Sequence, residues 1–142
     1  FDAIAKTYSY LVDNRPHASV FLRNYVYHVP WPLDIAAMER GAELLVGTLD
    51  YASFQSSGSS AKTSVRTVSH LRVAVWQGLI RFDIRADGFL YNMVRNIVGT
   101  LLEVGKGKIK EREVAAILDA RDRTTAGPTV PARGLYLVDV EY

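Results

Sequence analysis

Arg95 is the side chain of this sequence best placed to do chemistry. In the segment Phe89–Val104, Leu90, Met93, Val94, Ile97, Val98, Leu101 and Leu102 recur at helical spacing and form one wide apolar stripe. At about 100° per residue, Arg95 falls beside that stripe, next to Tyr91 and Leu102. Asn92, Asn96 and Glu103 are expected to face away from it. A permanently charged guanidinium at a core boundary calls for a carboxylate or phosphate partner. The commoner meaning of such a position is an arginine that covers the core edge and snorkels to water, and the pattern does not discard it.

Tyr8 and Tyr10 share one face of a strand-like segment, Lys6–Val12, because strand side chains alternate. Strand tyrosines usually belong to the core; at a cleft, a tyrosine can instead stack on a nucleic-acid base. The stretch from Ser53 to Arg72 mixes hydroxyls with Lys62, Arg66, His70 and Arg72, the side-chain types that contact phosphate and sugar. A solvated loop and strand surface would show the same residues. The run Lys106, Lys108, Lys110 and Arg112 reads as an ordinary solvated charge run.

Other chemistries find no footing. Gly105-Lys106-Gly107-Lys108 lacks the spacing of a phosphate-binding loop and follows a helix, where such a loop follows a strand. His17, His28 and His70 have no metal-ligand spacing, and the absence of cysteine removes thiolate sites and disulfides. No nucleophile elbow, dinucleotide fingerprint or paired-carboxylate motif is visible.

The elements that must position these residues follow from periodicity. Lys6–Val12 is a strand, broken by Asp13-Asn14-Arg15-Pro16, and Phe21–Pro32 reads as an irregular connection. Asp34 is an N-cap for a helix carrying Ile35, Met38, Ala42, Leu45 and Val46, which Gly47 can end. Tyr51–Ser64 is a polar, serine-rich loop. Val65–Trp76 and Leu79–Ala86 form a hairpin around Gln77-Gly78, with Leu71, Val73, Val75 and Ile80, Phe82, Ile84 facing the core. The helix Phe89–Val104 and a shorter one over Glu111–Ala120 follow. Arg121–Arg133 is loop, and Leu135–Val140 is a closing strand. The order β-α-β-β-α-α-β predicts an α+β domain, a largely antiparallel sheet with helices packed on one face.

Length and composition fit one domain, residues 1–142, with a hydrophobic fraction of 49% that suffices for a core. No apolar stretch is long enough to span a bilayer, and a cytoplasmic protein is the plain reading. The formal net charge of +2 allows a nucleic-acid partner without announcing one. From the residues alone, the sequence supports an α+β domain with a possible anionic ligand, and no particular reaction. The chain begins at Phe1, without methionine, as a cut piece would.

The segment from Ala86 to Gly105, A-D-G-F-L-Y-N-M-V-R-N-I-V-G-T-L-L-E-V-G, closely resembles the signature helix of the TruA family of tRNA pseudouridine synthases. Four further stretches resemble that family in the same order. They are Phe1-Asp2-Ala3 with Lys6–Tyr10; Asp50–Phe54 with Thr63 and Arg66–Val68; Arg121–Thr124; and Gly134–Val138. The resemblance implies isomerisation of uridine to pseudouridine in the tRNA anticodon stem-loop, without cofactor or metal, by a homodimer in the full-length protein. It implies that Arg95 pairs with the catalytic aspartate, that Tyr8 stacks on the target uracil, and that Leu135 packs against the flipped base. Lys62, Arg66, Ser53 and Phe54 would lie toward the RNA. The family's aspartate sits in an R-T-D-x-G-x-H motif absent from this sequence. The resemblance therefore implies a C-terminal piece whose N-terminal portion carries the nucleophile, and which is inactive alone. The other reading is a non-catalytic α+β RNA-binding module, although the RNP1 pattern is missing.

Overall fold

A computed structural model describes residues 2–142, so Phe1 of the first family-like motif lies outside the described residues. Strand β1 (Ala5–Asp13) is an interior strand of a sheet whose path runs β2 (Tyr27–His28), β1, β5 (Leu79–Ala86), β4 (Val65–Trp76), β3 (Gly47–Asp50). The last strand, β6 (Leu135–Glu141), pairs with Ala5–Tyr10 of β1, while β2 takes up Val12 and Asp13 on the same edge. Among the described residues only the β1–β2 pairing is parallel. The α+β class and the largely antiparallel sheet therefore stand as expected.

The hairpin forms where Gln77 and Gly78 both take positive φ, 48° and 79°, which is the backbone a two-residue turn between twisted strands requires. Along β4 the buried positions are Val68, Leu71 and Val73. A register shift between Val68 and His70 lets the strand reset its alternation. In β5 the alternation is uninterrupted, with Ile80, Phe82, Ile84 and Ala86 buried beneath the helices. Val75, expected in the core, is 65% exposed because it lies at the free end of the hairpin.

Helix α1 (Ile35–Glu43) starts where expected: the Asp34 carboxylate accepts the Ala37 N–H at 3.0 Å. It ends at Glu43, however, and Val46 leaves the apolar stripe for solvent. The chain then turns at Gly47, whose φ of +134° few other residues tolerate, into β3. Strand β2 lies in the stretch expected to be an irregular connection, and β3 in a stretch for which no element was expected. They are too short for a periodic signal, and their pairing partners, not their own residues, make them strands.

Helix α2 (Met93–Gly105) is the spine of the core, with Ile97, Val98 and Leu101 almost fully buried. It packs on α1 and β1, and α3 (Glu113–Ala120) lies against the short helical turn Ala52–Phe54. Met93 is four residues later than the expected start. Phe89–Asn92 form a turn instead, closed by Asn92 in the left-handed region at φ 59°. Asn96, expected to face away, is fully buried. No helix among the described residues is long and apolar enough to cross a membrane.

Candidate base-binding cleft

Because α2 begins late, the turn before it opens sideways over the sheet. Tyr8, Phe89, Leu90, Asn92, Met93, Val94, Arg95, Ala132 and Leu135 line one cleft of about 170 Å³. The structure thus brings together Tyr8, Arg95 and Leu135, from the start, the middle and the end of the chain. Tyr8 and Phe89 meet edge to face, with centroids 5.0 Å apart and planes at 87°, so the phenol is held by an aromatic contact. Phe89 carried no separate signal in the sequence, where it counted only as the first residue of a helix.

Leu135 is fixed from behind. The residue before it, Gly134, lies so close to Tyr10 that a Cβ there would approach the Tyr10 ring to 2.7 Å. Tyr10 itself is fully buried and donates its hydroxyl to the Pro131 carbonyl at 2.6 Å. Burial holds its phenol neutral by pushing its pKa upward. Of the two tyrosines on one strand face, Tyr10 is therefore the core residue that anchors the loop before β6, and Tyr8 is the one at the cleft.

Arg95 is half-buried. Its Nε donates to the Val130 carbonyl at 2.8 Å and its Nη1 to Asn92 Oδ1 at 3.2 Å. Among the described residues it makes no ion pair. Both acceptors are neutral and fix the direction of the fork without cancelling its charge. The loop segment carrying Val130 is held against α2 by two glycines. A Cβ on Gly99 would meet the Pro128 oxygen at 1.7 Å, and one on Gly127 would meet the Gly99 oxygen at 2.7 Å.

The loop residues are dispersed. Lys62 is exposed, and Arg66 folds back to donate from Nη1 to the Thr63 and Val65 carbonyls at 2.8 and 2.7 Å. Arg66 also lies against Gly88, beside the cleft residue Phe89. Ser53 and Phe54 correct the expectation of RNA contact, since both are fully buried. Ser53 Oγ donates to the Ile117 carbonyl at 2.5 Å and accepts the Asp122 N–H at 2.9 Å. Phe54 is a core ring whose carbonyl accepts from Asn96 at 2.9 Å. Their family-like motif marks packing of a helical turn under α3, which residue type could not reveal.

An aromatic ring, an aliphatic side chain and an aimed guanidinium without a counter-charge around one cleft define an α+β domain suited to a planar ring next to an anionic group. Comparison with known proteins gives the family. Residues 42–142 match the family profile described as tRNA pseudouridine synthase. The chain is 50% identical over its whole length to tRNA pseudouridine synthase A of Acetivibrio thermocellus, covering 58% of that protein. It is 47% identical over its whole length to the namesake from a Thermoanaerobacter species, again covering 58%. With the Streptococcus thermophilus protein it shares 43% identity over 96% of this chain and 56% of the relative. The chain belongs to the TruA-type tRNA pseudouridine synthase family, and it spans somewhat over half the length of these relatives.

Proposed function

We propose that this chain is the C-terminal, cleft-forming portion of a tRNA pseudouridine synthase acting on uridine in the anticodon stem-loop, and that it is inactive alone. The observation that supports this reading is the convergence of Tyr8, Leu135 and Arg95 on one cleft. In the isomerisation the bond from the ribose C1′ to uracil N1 breaks, the uracil turns, and a C1′–C5 bond forms. The proton lost from C5 is balanced by one gained at N1, so nothing is oxidised and no cofactor is required. The nucleophile is an aspartate in an R-T-D-x-G-x-H segment supplied by the N-terminal portion of the same enzyme.

Each residue of the cleft has a distinct task. Arg95 receives the aspartate and holds it ionised, since a neighbouring guanidinium favours the charged form of a carboxylate. Tyr8 stacks on the uracil, and Leu135 fills the space beside the extruded base. Removing a base from its stack costs a few kcal/mol, which these contacts offset. The exposed Lys62 and the partly covered Arg66 lie toward the RNA backbone. The parent protein works as a cytoplasmic homodimer with tRNA as its substrate.

Arg95→Ala, placed in the full-length enzyme, tests this reading. Turnover on an unmodified tRNA transcript falls by on the order of a thousandfold, with only a modest loss of tRNA affinity. Unchanged turnover would remove Arg95 from the reaction and the assignment with it.

A further inference from the structure

We propose that a second cleft, lined by Gln55, Ser56, Ser57, Gly58, Ser59 and Arg123, is a subsite for an RNA phosphodiester, and that it is linked to Arg95 through Ser56 and Asn92. The inference rests on the function proposed above and extends it to the nucleotide next to the target base. This cleft is open, about 480 Å³ in volume, and lies beside the serine-rich loop.

Arg123 supplies the charge. Its guanidinium donates to the Gly127 carbonyl at 2.7 Å, to Asn96 Oδ1 at 2.9 Å and to Thr129 Oγ1 at 3.1 Å. All three acceptors are neutral, and among the described residues no carboxylate lies within ion-pair distance of it. Asp122, its chain neighbour, spends one carboxylate oxygen on the Thr124 N–H and hydroxyl. Partial burial lowers the Arg123 pKa, and the neutral acceptors around it orient the guanidinium without cancelling its charge. A neutral amide could pin the same carbonyl and hydroxyl. A permanent cation at the wall of a hydroxyl-lined cleft is the arrangement that binds a phosphate.

The scaffold beneath it is fully committed. Buried Asn96 accepts at Oδ1 from Arg123 and from Thr129 (2.5 Å), and donates from Nδ2 to the Phe54 carbonyl and, at 3.2 Å, to Ser56 Oγ. One side chain thus fixes both the guanidinium and the first serine of the loop. Ser56 Oγ also accepts from Asn92 Nδ2 at 3.2 Å, and Asn92 Oδ1 accepts from Arg95. A hydrogen-bonded chain through Ser56 and Asn92 thus joins the serine cleft to the Arg95 fork.

The test is an NMR titration of the 142-residue chain with two probes: uridine, which has no phosphate, and the trinucleotide UpUpU. Uridine shifts signals of Tyr8 and Leu135 only. UpUpU shifts those and, in addition, the Ser57 and Ser59 amides and the Arg123 Nε–H. Serine-loop signals that stay still while Tyr8 and Leu135 respond to UpUpU would overturn the subsite and leave the base cleft standing. Loop signals that respond equally to uridine would also overturn it, because phosphate would not be what is recognised. Response of the loop without any response of Tyr8 and Leu135 would support the subsite and count against the base cleft. Ser57→Asp places a like charge in the cleft on an exposed loop position, so folding is spared. It weakens UpUpU binding about tenfold and makes the salt dependence shallower. An unchanged affinity and slope would sink the proposal.

Discussion

At the scale of single residues, the decisive property of Arg95 is a charge that is aimed and not neutralised. Its Nε and Nη1 contacts use neutral acceptors, so the fork is oriented before any partner arrives. Arg95→Lys keeps the charge but loses the fork. The account expects it to be nearly as inactive as Arg95→Ala in single-turnover assays, and wild-type rates would show that orientation is irrelevant. In the proposed function Tyr8 works by stacking its ring on the base. Tyr8→Phe keeps the edge contact with Phe89, so tRNA affinity stays within about twofold, whereas Tyr8→Ala loses about 1–3 kcal/mol of stacking. Equal affinities for the two variants in a filter-binding assay would mean that this ring does not meet a base. Arg95 and the Tyr8/Tyr10 pair could be read in the sequence, one from helical phase and the other from strand phase. Asn92 and Asn96 could not. Helical periodicity sends both outward, yet one closes a left-handed turn and the other is fully buried among Arg123, Thr129 and Phe54.

Elements decide where those residues meet. The N-terminus of α2 sets the cleft, because the Phe89–Asn92 turn frees Phe89 to face Tyr8. The segment carrying Val130 is set by the close approach of Gly99 to Pro128. Gly99→Ala forces backbone to move, so it costs about 1–3 kcal/mol or more in denaturant unfolding and lowers turnover by displacing Val130 from Arg95. A variant as stable and active as the wild type would show that this contact is looser than the structure has it. The hairpin was legible because Gln77-Gly78 carries its own turn chemistry and both flanking strands alternate. Strands β2 and β3 were not, since pairings of two and four residues are dictated by the neighbouring strand. Ser53 and Phe54 misled for a related reason: a serine and a phenylalanine beside a polar loop look accessible until α3 closes over them.

At the scale of the whole molecule, the interior strand β1 carries a buried charge that links stability to pH. Asp13, fully buried at the end of β1, receives Arg15 Nε at 2.8 Å and Nη2 at 2.9 Å, which holds its carboxyl at about 2. A depressed carboxylate pKa contributes stability that is present above the unfolded value of about 3.9 and lost as pH falls toward the folded one. Thermal melts should therefore lose stability between about pH 4 and pH 2, and Asp13→Asn should flatten that loss while lowering Tm near neutrality by about 3–6 °C. Parallel pH profiles for the two proteins would show that Asp13 is not the group responsible. The net charge of +2 supplies little long-range attraction, so under the proposed function the RNA contacts of this chain fall to local groups such as Arg123 and Lys62.

In the proposed reaction this chain supplies the cleft and Arg95 but not the nucleophile. Pseudouridine formation, followed by nucleoside chromatography and mass spectrometry on an unmodified tRNA transcript, tests this most directly. The chain alone should give no product, and joining it to the N-terminal portion that bears R-T-D-x-G-x-H should restore activity that depends on Arg95. Product from the chain alone would mean that one of its own carboxylates is the nucleophile, and would contradict the account.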